Sequence, residues 1–471
     1  MTRAIWWVRR DLRLHDNPAL QESLQSASDV IPIFIVDSTL IKSPNTSKTR
    51  LAFLYQGLEQ LHKDLTSLGS RLILRSGSPV PILTEILQES RAETIYAESD
   101  FSPYARRRDN AVGENLPLVL TGNSSFSHPH AVLKSDGTPY TVFTPYMRSW
   151  KGFHALENIR LIPPPQRIST PQDISSEPFP EINIQEAYHQ DFSPGETNAL
   201  KHLNQFTAGK EAPIYDYTSL RDRVDLRGTS QLSPYLHFGM LSPQMAIKSA
   251  YEAISQAPDD HSRQGAETWL NELIWRDFYI AILNHFPHVL QHSFRPEYRD
   301  IPWQNDEEDF SAWCEGSTGY PIVDAAMHQL AETGWMHNRA RMITASFLVK
   351  DLLVDWRWGE RWFMQNLVDG DLASNNGGWQ WTAGTGTDAA PYFRIFNPTL
   401  QGVKHDPEGT YIRRWLPQLA DVPQKYIHTP WEMPDNIQVQ ASCQIGKHYP
   451  LPIIDHGFAR QRTVEAYKSV K

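Results

Sequence analysis

The chain has 471 residues, of which 40% are hydrophobic and 21% are charged, and its net charge at pH 7 is −10. This length suggests two or three domains, and no apolar run approaches the roughly 20 residues that span a bilayer, so we expect no membrane segment. The acidic balance excludes indiscriminate nucleic-acid binding, and the two cysteines, Cys314 and Cys443, exclude a disulfide framework and favour a reducing, cytoplasmic setting.

The first part of the chain alternates predicted strands with predicted helices. Short apolar runs predict strands at Ala4–Val8, Val30–Val36, Arg71–Leu74, Thr94–Ala97 and, more weakly, Pro117–Leu120. Helical patterns between them cover Pro18–Ser26, Thr49–Leu68 and Pro79–Glu89, and a further one begins near Pro103. This order predicts an α/β domain at residues 1–130, built on a doubly wound parallel sheet.

Charged residues follow several of these predicted strands. Arg9-Arg10-Asp11, Asp37 and Asp100 lie where the strands end. Ligands of parallel sheets bind at that edge, but ordinary loop charges are an equally simple interpretation. No GxGxxG follows the first strand, so a dinucleotide-binding fingerprint is absent.

The rest of the chain reads as a connector followed by helices. From about residue 156 to 194 the sequence is rich in proline, serine and acidic residues, and we assign 131–194 to an interdomain connector. Residues 195–471 are predicted to form an all-α domain. Its helical patterns cover Glu196–Thr207, Pro243–Ala257, Ala266–His285, Ile322–Thr333, Arg339–Asp351 and Glu360–Leu367.

Two motifs in this domain indicate a ligand. GTSQLSP, from Gly228 to Pro234, offers hydroxyl and backbone N–H groups at a helix start, which suits a pyrophosphate or serves as a plain N-cap. WLNELIWRDFY places Trp269, Glu272 and Trp275 on one helix face. A carboxylate among aromatic residues is seldom buried unpaired, so this stripe is either core or a binding surface.

The densest polar run is DGDLASNNGGWQWTAGTGTDAAPYFRIFNP, residues 369–398. Its carboxylates and amides suit a polar heterocycle, and Gly377-Gly378 allows a flat ligand to come close to the backbone. Upstream, GWMHNRARM contains Arg339 and Arg341, which form either surface salt bridges or contacts to carboxylates and phosphates. No histidine or cysteine spacing predicts a metal site.

Taken together, WWVRRDLRLHDN, GTSQLSPYL, WLNELIWRDFY, GYPIVDAAM, GWMHNRARMI and the 369–398 run resemble the DNA photolyase/cryptochrome family. The resemblance is greatest to bacterial class I deoxyribodipyrimidine photolyases. It implies an N-terminal α/β domain, a helical domain that holds FAD, and light-driven repair of cyclobutane pyrimidine dimers in DNA. It also implies a monomer that needs neither a metal nor a membrane.

The resemblance assigns roles residue by residue. Electron transfer to the flavin would use three tryptophans: Trp303, Trp356 and Trp379. FAD would be held by Tyr217, Thr229, Ser230, Gln231, Leu232, Ser233, Trp269, Arg341, Asp369, Gly370, Asp371 and, at flavin N5, Asn375. Lesion and DNA contacts would come from Arg221, Glu272, Trp275, Asn338, Arg339, Met342, Trp381, Arg394 and Gln401.

Two alternatives within the family stay open at this point. (6-4) photolyases carry a histidine at the position of Met342, and cryptochromes often change the residue matched by Asn375. An antenna chromophore is also implied, for which Arg10, Asp37, Arg50 and Asp100 favour 8-hydroxy-5-deazaflavin over methenyltetrahydrofolate. Ser102 departs from the deazaflavin-binding pattern.

Overall fold

The computed structural model describes residues 2–180 and 192–470. Its first part contains a five-stranded parallel sheet in the order β3-β2-β1-β4-β5. The strands are β1 (Arg3–Val8), β2 (Asp29–Val36), β3 (Ile73–Ser76), β4 (Thr94–Ser99) and β5 (Leu118–Asn123). The order reverses direction beside β1, as it does in doubly wound folds, so the predicted α/β class is confirmed.

Helices connect these strands and bury an apolar core around them. They are α1 (Pro18–Ser26), α2 (Ser38–Ile41), α3 (Lys48–Ser67), α4 (Pro79–Ser90), α5 (Pro103–Asn115) and α6 (Phe143–Phe153). The core is lined by strand residues such as Ile5, Ile33 and Ile95, all fully buried. Near-continuous apolar strands are expected where a parallel sheet is covered on both faces.

From residue 192 onward, the described chain is helical and its only β pairing is an isolated bridge between Ile445 and Tyr449. This confirms the all-α prediction. The helices are α7 (Glu196–Thr207), α8 (Tyr217–Leu220), α9 (Ser233–His237), α10 (Pro243–Gln256), α11 (Asp260–His285), α12 (Glu307–Glu315), α13 (Pro321–Thr333), α14 (Asn338–Ser346), α15 (Trp356–Asn366), α16 (Leu372–Ala383), α17 (Pro398–His405), α18 (Thr410–Trp415), α19 (Asp435–Gln440) and α20 (His456–Lys468).

Short helical turns complete the chain. Phe347–Asp351 forms a π-helix directly after α14. The 3₁₀ turns are Leu156–Asn158, Pro213–Asp216, Pro287–Leu290, Pro296–Tyr298, Pro417–Leu419, Gln424–Tyr426 and Pro430–Glu432.

Several helix bounds differ from the predicted ones; for example, the helix predicted at Glu360–Leu367 is α15, which begins at Trp356. α11 begins at Asp260 rather than Ala266, because the side chain of Asp259 caps a first turn that lacks apolar residues. The helix predicted at Arg339–Asp351 is α-helical only to Ser346, where the π-helix follows. The polar run after Asp369, whose composition suggests neither helix nor strand, forms α16.

The chain divides into two compact units. The first unit combines Met1–Thr218, Ser230–Pro287 and Val368–Ala373, and the second combines Ser219–Thr229, His288–Leu367 and Ser374–Lys471. The domain boundaries 1–130, 131–194 and 195–471 stay a prediction, since part of the predicted connector, 181–191, lies outside the described residues.

Candidate functional site

A cluster of charged residues in the first unit centres on Asp371. Its carboxylate accepts a 2.9 Å hydrogen bond from Nη2 of Arg10 and lies 3.9 Å from Nδ1 of His237. Burial alone would raise the pKa of Asp371, but His237 and the guanidinium groups of Arg10 and Arg276 hold it well below its usual range. Asp371 is therefore ionised at neutral pH.

This cluster brings together residues predicted for two different ligands. Nη1 of Arg10 lies 3.7 Å from the carboxylate of Asp100. Burial lowers the pKa of Arg50 to about 10, although the negative charges of Asp369 and Asp371 act to raise it. Arg10, Arg50 and Asp100 were predicted for an antenna, and the two aspartates for FAD. The fourth antenna candidate, Asp37, instead accepts a short hydrogen bond from the Tyr104 hydroxyl.

The predicted phosphate-binding run meets α11 at Trp269. The indole Nε1 of Trp269 donates a 3.3 Å hydrogen bond to the hydroxyl of Ser230. The rings of Trp269 and Tyr217 lie 5.3 Å and 6.0 Å, respectively, from that of Phe206. Of the predicted FAD residues, Trp269 therefore contacts Ser230 directly and Tyr217 through Phe206, a residue that no sequence motif indicated.

Gln231, Leu232 and Ser233 form the turn into α9, which begins at Ser233. Gln231 has a φ of 52°, a left-handed conformation that is uncommon for a residue other than glycine.

Thr229 and Gly228 belong to the second unit. At Gly228 a Cβ would lie 2.5 Å from the carbonyl oxygen of Leu220, which explains why glycine begins the motif.

Two buried polar atoms on α11 show that the first unit can accommodate a polar cofactor. Within the residues described, Oδ1 of Asn271 and Nη1 of Arg276 have no hydrogen-bond partner. Burying such groups costs free energy unless something pairs with them. A ligand with both donors and acceptors, such as FAD, suits them. Arg276 is one helical turn beyond Glu272, so the helix-face pattern contained the signal that could have identified it.

Trp275 has an aromatic neighbour on one face. The ring of Phe143 stacks on it with centroids 3.7 Å apart and planes 6° apart, and Phe278 meets it edge-on at 5.6 Å. Trp275 and Glu272 are both partly buried on α11. The stripe is therefore neither a fully buried core nor a freely exposed surface.

In the second unit, Glu360 orients Asn375. Nδ2 of Asn375 donates 3.0 Å hydrogen bonds to both the backbone oxygen and Oε1 of Glu360. Burial raises the pKa of Glu360 to about 7. The amide predicted to face flavin N5 is thus fixed by a residue that the sequence analysis did not identify.

The three predicted electron-transfer tryptophans all lie in the second unit. Trp379 and Trp356 are both 2% exposed, whereas Trp303 is partly exposed. The ring of Trp379 packs against α15, which begins with Trp356. A Cβ at Gly359 on this helix would lie 2.1 Å from Cη2 of Trp379, so glycine permits this close approach.

The arginines of the GWMHNRARM motif have different partners within the second unit. Arg339 forms a 2.7 Å salt bridge with Asp222, whose carboxylate is also 3.9 Å from Arg221. Nε of Arg341 donates a 2.8 Å hydrogen bond to the carbonyl of Met336. Arg339 and Arg221, two of the three arginines predicted to contact phosphates, therefore share Asp222 as an acidic neighbour.

The remaining predicted substrate residues also belong to the second unit. The amide of Asn338 lies 3.8 Å from the sulfur of Met342, one turn along α14. The side chain of Arg394 is exposed, and Trp381 and Gln401 are partly buried.

The described residues contain neither a membrane-spanning helix nor a cluster of metal-binding side chains. No helix in that part of the chain combines the length and apolar character needed to cross a lipid bilayer. In ranges 2–180 and 192–470, no group of three or more histidine, cysteine or acidic side chains is arranged to hold a metal ion.

Comparison with known proteins covers the whole chain. A family model described as "DNA photolyase" matches residues 4–167, and one described as "FAD binding domain of DNA photolyase" matches residues 269–469. The deoxyribodipyrimidine photo-lyase of Escherichia coli is 39% identical over 100% of this chain and 99% of its own.

Solved structures agree with this comparison. A bacterial class III photolyase from Agrobacterium tumefaciens has a TM-score of 0.91 and 36% identity, covering 100% of this chain and 98% of its own. A cryptochrome from Synechocystis has a TM-score of 0.88 and 30% identity, covering 100% of this chain and 99% of its own.

Proposed function

Because the chain belongs to the DNA photolyase family, we propose that it is a deoxyribodipyrimidine photolyase that repairs cyclobutane pyrimidine dimers in DNA. The observation that carries the proposal is the stripe on α11. Trp269, which donates a hydrogen bond to Ser230, is followed at helical spacing by Glu272 and then by Trp275. This stripe offers a cofactor contact, a hydrogen-bonding carboxylate and a flat surface in succession, as flavin-dependent repair of a base requires.

FAD is the cofactor of this family's helical domain. The residues that would hold it are those assigned from the family resemblance: Tyr217, Thr229, Ser230, Gln231, Leu232, Ser233, Trp269, Arg341, Asp369, Gly370, Asp371 and Asn375. When bound and reduced, FAD would supply the electron that light transfers to the dimer. The ionised Asp371 suits a donor at the edge of a flavin ring, and Glu360 holds the Asn375 amide in one orientation.

The lesion would be recognised after it leaves the duplex. Dimers stack poorly, so turning one out costs less than flipping an intact base, and photolyases are known to act on their substrate in this way. Trp275 and Trp381 would stack on the dimer, and Glu272 would accept a hydrogen bond from it. Asn338 and Met342 would contact the same lesion. Arg221, Arg339, Arg394 and Gln401 would contact the DNA around it.

An antenna chromophore is a separate proposal. Arg10, Asp37, Arg50 and Asp100 would contact it, with 8-hydroxy-5-deazaflavin preferred to methenyltetrahydrofolate. Arg10 and Arg50 also lie beside Asp371 and Asp369, so their loss affects the FAD residues as well. An absorption spectrum before and after chromophore extraction identifies any antenna.

Blue-light signalling is the second candidate function, favoured by the similarity to the Synechocystis cryptochrome. The experiment that separates it from repair begins with protein from a flavin-replete host. We expect one non-covalent FAD per chain and light-dependent loss of dimers from DNA. Protein that neither contains nor takes up FAD would refute both candidates, and FAD-loaded protein without repair would favour signalling.

A further inference from the structure

A nearly buried phenylalanine covers one face of the tryptophan that we assign to the lesion. Phe143, the first residue of α6, is 7% exposed and its ring lies parallel to that of Trp275 at 3.7 Å. We propose that Phe143 is a positioning residue for repair, because it fixes the plane of Trp275 on which a flipped base stacks. This inference rests on the function proposed above.

The stack is imposed by the surrounding packing. Aromatic pairs prefer offset or edge-to-face arrangements with centroids 4.5–7 Å apart, and a near-parallel contact at 3.7 Å departs from that preference. One turn further along α6, Tyr146 packs on Phe278 of α11 at 5.3 Å. α6 is therefore held against α11 one turn beyond the stack as well.

A buried carboxylate of α11 accepts a hydrogen bond from the later part of α6. Asp277, which is 3% exposed and lies two residues beyond Trp275, accepts a 3.1 Å hydrogen bond from Nε1 of Trp150. It also accepts hydrogen bonds from the backbone N–H groups of Phe126 and Ser127, at 3.1 Å and 2.9 Å. With α6 fixed in this way, the backbone that carries Phe143 cannot move away from α11 without breaking these contacts.

The covered face determines how Trp275 meets a ligand. With Phe143 against one face, the indole cannot turn about its side-chain torsions into the space that the phenyl ring occupies. The ring of Tyr279 also lies 5.4 Å from that of Trp275, tilted by 30°, and the part of the indole that stays exposed is left to the substrate. A platform that is already ordered spares binding the cost of ordering a side chain, and this favours affinity. The damaged base would thus be the third layer of a Phe143–Trp275–base stack.

The test compares Phe143→Ala, Trp275→Ala and the double variant as FAD-containing proteins. We expect Phe143→Ala to weaken the affinity for a duplex with one cyclobutane dimer by about 2- to 12-fold, the range that aromatic pairs support. Affinity for the undamaged duplex should stay unchanged. In the Trp275→Ala background, Phe143→Ala should cause no further loss, since both act through one surface. Repair per absorbed photon at saturating DNA should be retained.

Phe143→Leu separates positioning from cavity formation, because leucine fills much of the space but has no flat face. We expect it to lose lesion affinity as Phe143→Ala does, while its thermal midpoint stays closer to that of the wild type. Additive losses in the double variant, equal losses for undamaged DNA, or full lesion affinity in Phe143→Leu would each overturn the positioning role.

These outcomes separate the inference from the proposed function. If the wild type repairs dimers, and Trp275→Ala weakens lesion binding while Phe143→Ala does not, only the role of Phe143 is refuted. A wild-type protein with no preference for dimer-containing DNA refutes the proposed function itself, and the inference with it.

Discussion

The guanidinium of Arg10 donates a 2.9 Å hydrogen bond to the carboxylate of Asp371, across 361 positions of the sequence. Its Nε also donates to the backbone oxygen of His237 at 2.7 Å. Arg10 follows β1 and Asp371 immediately precedes α16. The first strand of the α/β sheet is thus linked directly to a carboxylate proposed to contact the flavin, and Arg10 influences that carboxylate whether or not it also binds an antenna.

Replacing Arg10 should therefore affect both stability and FAD binding. Arg10→Ala leaves the partly buried Asp371 without the guanidinium that donates to it at 2.9 Å, and removing one partner of a buried ion pair costs several kcal/mol. Since about a quarter of the Arg10 side chain is exposed, we expect a loss of about 2–3 kcal/mol, discounted from the fully buried case. FAD should also dissociate more readily. Urea unfolding and flavin fluorescence on dilution measure the two effects.

Lys248→Ala provides the control, because Lys248 and Glu252 form an exposed pair 3.9 Å apart on α10. Such a pair contributes less than about 1 kcal/mol. Equal effects of Arg10→Ala and Lys248→Ala would show that the contact with Asp371 contributes nothing measurable.

Gly359→Ala should disturb flavin photoreduction through Trp379. Alanine normally stabilises a helix relative to glycine, but here its Cβ would lie 2.1 Å from Cη2 of Trp379, and such overpacking costs about 1–3 kcal/mol. We expect slower photoreduction of oxidised FAD and nearly unchanged repair by pre-reduced enzyme. Trp379→Phe should show the same split more strongly. Transient absorption and a repair assay measure the two reactions.

Gly113→Ala on α5 is the matched control, because its Cβ would meet nothing within 4 Å. We expect it to leave photoreduction unchanged and stability unchanged or higher. If Gly359→Ala and Trp379→Phe impaired photoreduction and repair equally, Trp379 would serve structure or substrate binding instead.

Periodic segments of the sequence predicted the fold well. The bounds of α1 and α7 were predicted to the residue, since their apolar spacing and flanking residues agree. α16 was not predicted, because its Asn-Asn-Gly-Gly centre has low helix propensity and its formation depends on packing around Trp379 and Gln380, both 2% exposed.

The site was less predictable because its contacts join distant positions. Arg10 and Asp371 carry no shared sequence pattern, and neither do Asn375 and Glu360, which lie on different helices. Phe143 occurs in an ordinary helix start, and only the structure reveals its stack on Trp275. Spacing along one helix identified Glu272 and Trp275, but it says nothing about which residues from other elements support them.

The stability of the second unit should fall as pH drops from about 6.5 to 4, in part because of His337. This residue is 4% exposed, and burial lowers its pKa to about 4. The unfolded state, with a pKa near 6.5, binds the proton first, so stability is lost as pH falls through this window. The full shift corresponds to about 3 kcal/mol. Urea unfolding at several pH values measures the slope.

His337→Asn isolates this contribution, since asparagine keeps the N-cap that His337 provides to the N–H of Arg339. We expect the variant to have a shallower pH dependence, whatever its absolute stability. His292→Asn, at an exposed histidine of the same unit, should leave the slope unchanged. A slope for His337→Asn equal to that of the wild type would contradict the assignment.

DNA binding should depend steeply on salt, because phosphate contacts release counterions. Arg394→Ala removes an exposed charge, and we expect it to reduce the slope of log K against log [salt] by about 1, with equal weakening for damaged and undamaged DNA. Arg107→Ala, which removes an exposed charge from α5, is the control. A salt-independent affinity of the wild type would contradict a phosphate-binding surface.

The most direct test of the account is illumination of the reduced, FAD-containing enzyme with cyclobutane-dimer DNA and, separately, with (6-4) DNA. We expect repair of the cyclobutane dimer alone, since Met342 supplies no proton where (6-4) photolyases carry a histidine. Stacking contributes about 1–3 kcal/mol per base, so Trp275→Ala should bind the dimer about 5- to 150-fold more weakly. Glu272→Ala should lose less affinity but more repair yield. Repair of (6-4) DNA alone would contradict the role of Met342, and repair of neither lesion would contradict the proposed enzyme activity.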